Sequence, residues 1–191
     1  PMNILDHWIG KPTKDFESLR HVHYYVMGDC ETPGAPGNFW RSADAWPPPA
    51  TPTAFYLQAD NSLRREAPAE AHQLTYKYDP ANPVPTRGGQ NLLIAKGPMD
   101  QRPIESRPDV LLFTSEPLTE PLEVTGRITG TIFISSDCPD TDFTIKLSDV
   151  SPDGKSLLVT DGIRRASLRN GYERHEPLNE GEFCELEVEL W

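Results

Sequence analysis

Six aspartates fall within residues 137–162, DCPDTDFTIKLSDVSPDGKSLLVTDG. Carboxylates at that density could hold a cation, act as acid and base, or mark the turns between strands. A calcium loop of the EF-hand type needs acidic oxygens at alternate positions, glycine at the sixth and glutamate at the twelfth. Counted from Asp140, the third position is Asp142, but the sixth is Ile145 and the twelfth is Ser151. That loop is excluded, and only a cage completed by distant loops stays open. The other chemistry-bearing residues are sparse. His21 and His23 form an H-x-H pair on one face of a candidate strand, without a third ligand nearby, so an exposed strand face is the better reading. Cys30, Cys138 and Cys184 are widely spaced and make no CxxC, so they suggest neither a disulfide framework nor a zinc site. Gly-x-Ser-x-Gly, HExxH and a glycine-rich phosphate loop are all absent from the sequence. No catalytic residue, metal site or cofactor is therefore expected in this chain.

The aspartates make sense once the elements around them are read. Phe143, Ile145 and Leu147 alternate with Thr144, Lys146 and Ser148, the period of a half-buried strand. Ser151-Pro152-Asp153-Gly154 is a turn, with proline pre-setting φ and glycine free to take a positive one. Leu157, Leu158 and Val159 resume a strand, and Asp161-Gly162 is expected to close it. Further strands are expected in HVHYYVMG, TAFYLQAD, QLTYKYDP, VLLFTS, LEVTGRITGTIFISS and FCELEVELW. In the last, Cys184, Leu186, Val188 and Leu190 face one way and three glutamates the other. MNILDHWIG carries apolar residues at helical spacing and predicts a short helix. Residues 80–108 have almost no regular pattern, a length of loop that is usually functional or tied down. Seven to nine strands without βαβ alternation predict an all-β fold, a jelly-roll β-sandwich with a short N-terminal helix.

Composition agrees. The 191 residues suffice for one domain with a core, and 20 prolines with 13 glycines imply many turns. The formal charge of −11 repels nucleic acid and anionic membrane surfaces. No apolar run approaches the roughly 20 residues of a membrane span. Scattered cysteines fit a reducing, cytoplasmic compartment better than secretion. The chain opens on Pro1 and stops on a strand, so both ends are expected to be cut from something longer.

Three apolar pieces are binding candidates. Trp40, Trp46, Phe55 and Tyr56 could stack a sugar or pack a loop. Leu92, Leu93 and Ile94 are an apolar triplet in a polar, glycine-bounded loop and need a neighbour. The third is Trp8 with its helix.

Four stretches carry a family resemblance: YKYDPANPVPTRGG, GPMDQRPIESRPDVLLFTSEPL, EVTGRITGTIFISSDCPDTDFTIKLSDVSPDG and EGEFCELEVELW. They resemble, in order, the C-terminal β-sandwich of the cocaine esterase, α-amino-acid ester hydrolase and X-Pro dipeptidyl-peptidase group of serine hydrolases. The resemblance implies a galactose-binding-domain-like sandwich over 21–191 that lacks its last strands, with residues 1–20 ending a preceding hydrolase domain. GIRRASLRNGY departs from the family, with Ser167-Leu168 where bulkier residues are usual. The Ser-His-Asp triad would lie in the absent hydrolase domain, so the chain alone is expected to be inactive. Its partners would be that catalytic domain, the missing strands, a small acyl ester, amide or X-Pro peptide substrate, and a second copy in a homodimer. Leu92 and Leu93, with Ile94, would line the acyl pocket or plug the domain interface. Gln101 and Arg102 would tie the long loop to the sheet through Glu105 or Asp109. Asp140 and Asp142 would accept backbone N–H groups or an arginine at the mouth of the sandwich. The competing expectation is a free-standing carbohydrate-binding jelly roll with coplanar exposed aromatics.

Overall fold

The computed structural model describes residues 9–10, 20–29 and 32–191. Of the helix expected over MNILDHWIG only Ile9 and Gly10 are described, in a turn; the rest lies outside the described residues. The chain is all-β in character, with eight strands and a single short α-helix among the described residues. It divides into two compact units, one of 1–52 with 117–126, the other of 53–116 with 127–191.

In the first unit, β1 (Val22–Val26) pairs antiparallel with β2 (Phe39–Ala43), Val22 opposite Ala43 and Val26 opposite Phe39. Phe39-Trp40-Arg41 can run back along β1 because the chain reverses tightly at Asn38. Its φ is 63°, and its side chain accepts from the Gly28 N–H at 3.2 Å while donating to the Asp29 carbonyl at 2.8 Å. Arg41 then pairs with Glu123 at 2.9 Å.

The second unit holds the main core. A small hairpin, β3 (Tyr56–Leu57) and β4 (Leu63–Arg64), turns at Asn61, whose φ is 62°. One helical turn, α1 (Arg102–Glu105), lies within the long loop of residues 80–108. β5 (Ile128–Ile134) pairs antiparallel with β8 (Cys184–Leu190), and β6 (Asp142–Val150) with β7 (Ser156–Arg165). Alternation places Ile134, Leu186 and Val188 inward, where they form the buried core with Ala166 and Leu178; Ile132, Phe143, Ile145 and Cys184 pack around it.

Several expected strands are corrected. β5 starts at Ile128 rather than Leu122, since Gly126 at φ 113° breaks an extended strand. Among the described residues QLTYKYDP pairs with no strand, and VLLFTS contributes only a bridge from Thr114 to Ser62. Asp161-Gly162 does not close β7. Gly162 pairs with Ile145 inside the ribbon, and a Cβ there would lie 2.9 Å from the Glu189 carbonyl carbon. That glycine serves the close approach of β7 to β8, not a turn.

Candidate functional site

The long loop is patternless in sequence but is anchored at its base. Gln101, only 1% exposed, donates from its side-chain amide to the carbonyls of Arg87 at 2.9 Å and Met99 at 2.8 Å. One amide thereby joins the chain entering the loop to the chain leaving it. Its oxygen accepts from the Lys146 ammonium on β6 at 3.1 Å, and its backbone N–H donates to the Ser156 carbonyl on β7 at 2.7 Å. Arg87 adds a bond from Nε to the Asp100 carbonyl at 2.7 Å, and the Leu158 N–H reaches the Met99 carbonyl at 3.2 Å.

Above this base the loop closes on itself. Gly89 and Gly97 exchange backbone hydrogen bonds of 2.9 and 3.0 Å, the pattern of a tight antiparallel bridge. Gly89 has φ 77°, and a Cβ there would meet the Asp161 carboxylate at 3.3 Å and the Leu158 side chain at 3.4 Å. The loop therefore rests directly on the outer face of β7. Asn91 donates to the Gly88 carbonyl and shapes the turn beyond.

The apolar triplet lines one shallow cleft with Thr86, Gln90 and Asn91, but its members differ in exposure. Leu92 is 91% and Leu93 98% exposed, whereas Ile94 is 47% exposed and turns toward the loop base. There it lines a cleft of about 310 Å³ with Pro85, Met99, Pro103 and Ile104. Two exposed leucines on a tied loop form an apolar tip that no described residue covers.

Charges around the base are paired. Arg102 grips Asp100, with Nε to Oδ2 at 2.9 Å and Nη2 to Oδ2 at 2.6 Å; these bonds hold the Asp100 carboxyl down at about 2. Arg102 reaches neither Glu105 nor Asp109: Asp109 is bound by Arg107 at 2.7 and 2.8 Å, and Glu105 accepts from the Ser156 hydroxyl. The expected partners of Arg102 are corrected accordingly, because Asp100 lies two residues away within reach of one rotamer. Burial pushes the Lys146 ammonium below its usual range, against the pull of Asp161 and Glu105.

Asp140 and Asp142 sit elsewhere, where β6 begins. Asp140 accepts from the Ser167 N–H at 3.0 Å and its hydroxyl at 2.8 Å, and Asp142 takes both prongs of Arg165 at 2.9 Å. His175 Nδ1 lies 3.1 Å from the same Ser167 hydroxyl. Aspartate, serine and histidine thus meet, but in the wrong order for a nucleophile. The carboxylate holds the hydroxyl rather than the imidazole, and Ser167 is only 2% exposed. Asp137 beside Cys138 raises that thiol's pKa, which disfavours the reactive thiolate. No group of three or more His, Cys, Asp or Glu side chains among the described residues could hold a metal ion. His23 instead meets the Ser42 hydroxyl at 2.9 Å.

A sugar platform is not built from the two tryptophans. Trp40 stands edge-on to Tyr25 and Trp46 edge-on to Tyr24, each at 5.5 Å. Tyr24 and Tyr25 are adjacent in β1 and point to opposite faces. The indoles therefore lie on opposite sides of the ribbon.

Sequence reasoning missed Lys146 and Arg87 as anchors. Alternation put Lys146 on the outer face of β6, but no local signal names a partner 45 residues away.

Comparison with known proteins follows the same lines. Residues 14–191 match the X-Pro dipeptidyl-peptidase C-terminal non-catalytic domain. The cocaine esterase of Rhodococcus sp. (strain MB1 Bresler) is 39% identical over 199 residues, covering 98% of this chain and 33% of that protein. The structure of an aminopeptidase from a marine sediment Thaumarchaeota archaeon superposes with a TM-score of 0.80 at 29% identity, over 99% of this chain and 32% of that one. An α-amino acid ester hydrolase gives a TM-score of 0.68 at 31% identity, over 80% and 29%. The chain spans about a third of the length of these relatives.

Proposed function

The chain belongs to the family of X-Pro dipeptidyl-peptidase C-terminal non-catalytic domains, and we propose that it serves a serine hydrolase by packing on its α/β catalytic domain and presenting Leu92 and Leu93 to the acyl pocket. The substrate is a small acyl ester or amide, or an X-Pro peptide. The observation that carries this is the contrast between tip and base. A loop held by a buried glutamine ends in two leucines that are 91% and 98% exposed. Apolar side chains so displayed gain on the order of 1.5–3 kcal/mol each when a partner covers them. Their role there is shape and exclusion of water around the acyl group, while proton transfer belongs to the catalytic domain. Ile94, which lines the cleft at the loop base and a second cleft with Leu92 and Leu93, would extend the same wall inward.

The finer architecture is proposed on the same footing. The β5–β8 pair encloses the β6–β7 pair in sequence, a nesting that supports a jelly roll of the galactose-binding kind. A cytoplasmic homodimer of the whole hydrolase is its proposed setting. The carbohydrate-binding alternative is disfavoured by the opposed indoles of Trp40 and Trp46.

The test is the acyl selectivity of the hydrolase that carries this chain, before and after Leu92→Ala and Leu93→Ala. A shift in preference between short and bulky acyl esters is expected. Unchanged selectivity with both leucines removed refutes the pocket role.

A further inference from the structure

We propose that Gln101 and Lys146 are positioning residues that set where the Leu92-Leu93 tip stands, so that acyl selectivity depends on two side chains remote from the substrate. The inference rests on the pocket-lining role proposed above. Gln101 sits between the loop and the sheet, and each of its polar groups has a partner on a different strand of chain. Both amide hydrogens go to the loop's two arms, at Arg87 and Met99, and its oxygen goes to Lys146 on β6. The arms close again at the Gly89–Gly97 bridge, and Gly89 rests on Asp161, which stands opposite Lys146 in the β6–β7 register. Lys146 and Asp161 thus support the loop from two points of the same cross-strand pair. Charged neighbours facing Lys146 are Asp161 and Glu105, while Asp100 pairs with Arg102 beside it.

A glutamine that is 1% exposed and fully engaged fixes an orientation that packing alone would leave loose. Replacing it by methionine keeps the volume and removes every side-chain hydrogen bond. Replacing it by glutamate keeps the contact with Lys146 and sets a carboxylate against two carbonyls. Both changes free the loop arms while the core of β5 and β8 stays intact.

The experiment is amide hydrogen exchange on the intact hydrolase, read on peptides covering residues 86–98 and, as internal reference, residues 184–190. Gln101→Met and Gln101→Glu are each expected to speed exchange of the 86–98 peptide by about 10-fold, the factor that corresponds to about 1.4 kcal/mol of lost local stability. The reference peptide is expected to stay within twofold of the parent. Lys146→Met, a second route to the same support, gives a smaller increase confined to the same peptide. Parent-like exchange in all three variants overturns the proposal. Acyl selectivity is measured on the same proteins beside Leu93→Ala. Where Leu93→Ala alters selectivity, the Gln101 variants must alter it in the same direction, through KM more than kcat; if they do not, positioning is refuted. Where Leu93→Ala alters nothing, the pocket role fails, and the exchange data alone decide whether Gln101 and Lys146 hold the tip.

Discussion

Gly162→Ala probes how the two ribbons of the main core meet. The added Cβ would lie 2.9 Å from the Glu189 carbonyl carbon and 3.2 Å from the Leu190 Cα, with the carbonyl oxygen nearer still. These are backbone atoms of β8 and have no rotamer to yield. Relief requires β8 to move, and β8 carries Leu186 and Val188 at 0% exposure and Leu190 at 5%. Overpacking of this kind costs about 1–3 kcal/mol, and the loss of backbone freedom in the unfolded chain returns about 0.4–1 kcal/mol. Because the clash falls on backbone atoms, the upper end of that cost applies, and the net expectation is a loss of about 2 kcal/mol, or roughly 4–8 °C in Tm for a domain of this size. Gly130→Ala is the control: its Cβ would meet Ile145 Cδ1 at 2.6 Å, the end of a flexible side chain that can turn aside. It should cost less than about 1 kcal/mol. Urea unfolding of the 191-residue chain, followed by tryptophan fluorescence and far-UV circular dichroism, measures both. The reasoning is refuted if Gly162→Ala stays within about 0.5 kcal/mol of the parent, or if Gly130→Ala costs more.

Two further outcomes follow from the polar contacts. The Asp100 carboxyl is held down from 3.8 to about 2, first by its hydrogen bond from Arg102, so its stabilisation is present above about pH 4 and lost as pH falls toward 2. Asp100→Asn should therefore lower the urea midpoint at neutral pH, with the gap to the parent closing between pH 4 and 2; a gap constant over that range counts against the pairing. Ser167→Ala removes a 2.8 Å bond to Asp140 from a side chain that is 2% exposed, and should cost about 1 kcal/mol by the same unfolding measurement. No loss at all would mean that the Asp140–Ser167 contact is spent elsewhere.

Much of the core was legible because period-2 alternation reports burial directly. Leu186, Val188 and Leu190 follow it, and the Ser151–Gly154 turn was readable from proline and glycine. Alternation does not report whether a partner strand exists. Leu74, Tyr76 and Tyr78 have the right spacing, yet they run along a segment with no ladder and stay 37–53% exposed. Gly162 misled for a related reason: glycine marks a turn or a close approach, and only the neighbouring backbone distinguishes the two. The site was half legible. An apolar triplet among polar residues singled out Leu92 and Leu93, and the family resemblance named Gln101 as a loop tie, but not the partners it ties to. Its burial depends on Arg87, Met99 and Lys146 converging from three places in the chain. The pocket role itself came from family resemblance, since spacing and composition name no partner for the two leucines.

The central claim is that the exposed leucine tip is a working part of a hydrolase. It is tested most directly by kcat/KM for an acetyl and a benzoyl ester in the intact enzyme and its Leu92→Ala/Leu93→Ala double variant. Methylene-scale contacts in an apolar pocket are worth about 1–3 kcal/mol of discrimination, so the ratio of the two kcat/KM values should shift by 10-fold or more while Tm stays within a few degrees. A ratio unchanged within twofold, in a variant that folds and turns over as the parent does, would contradict the account.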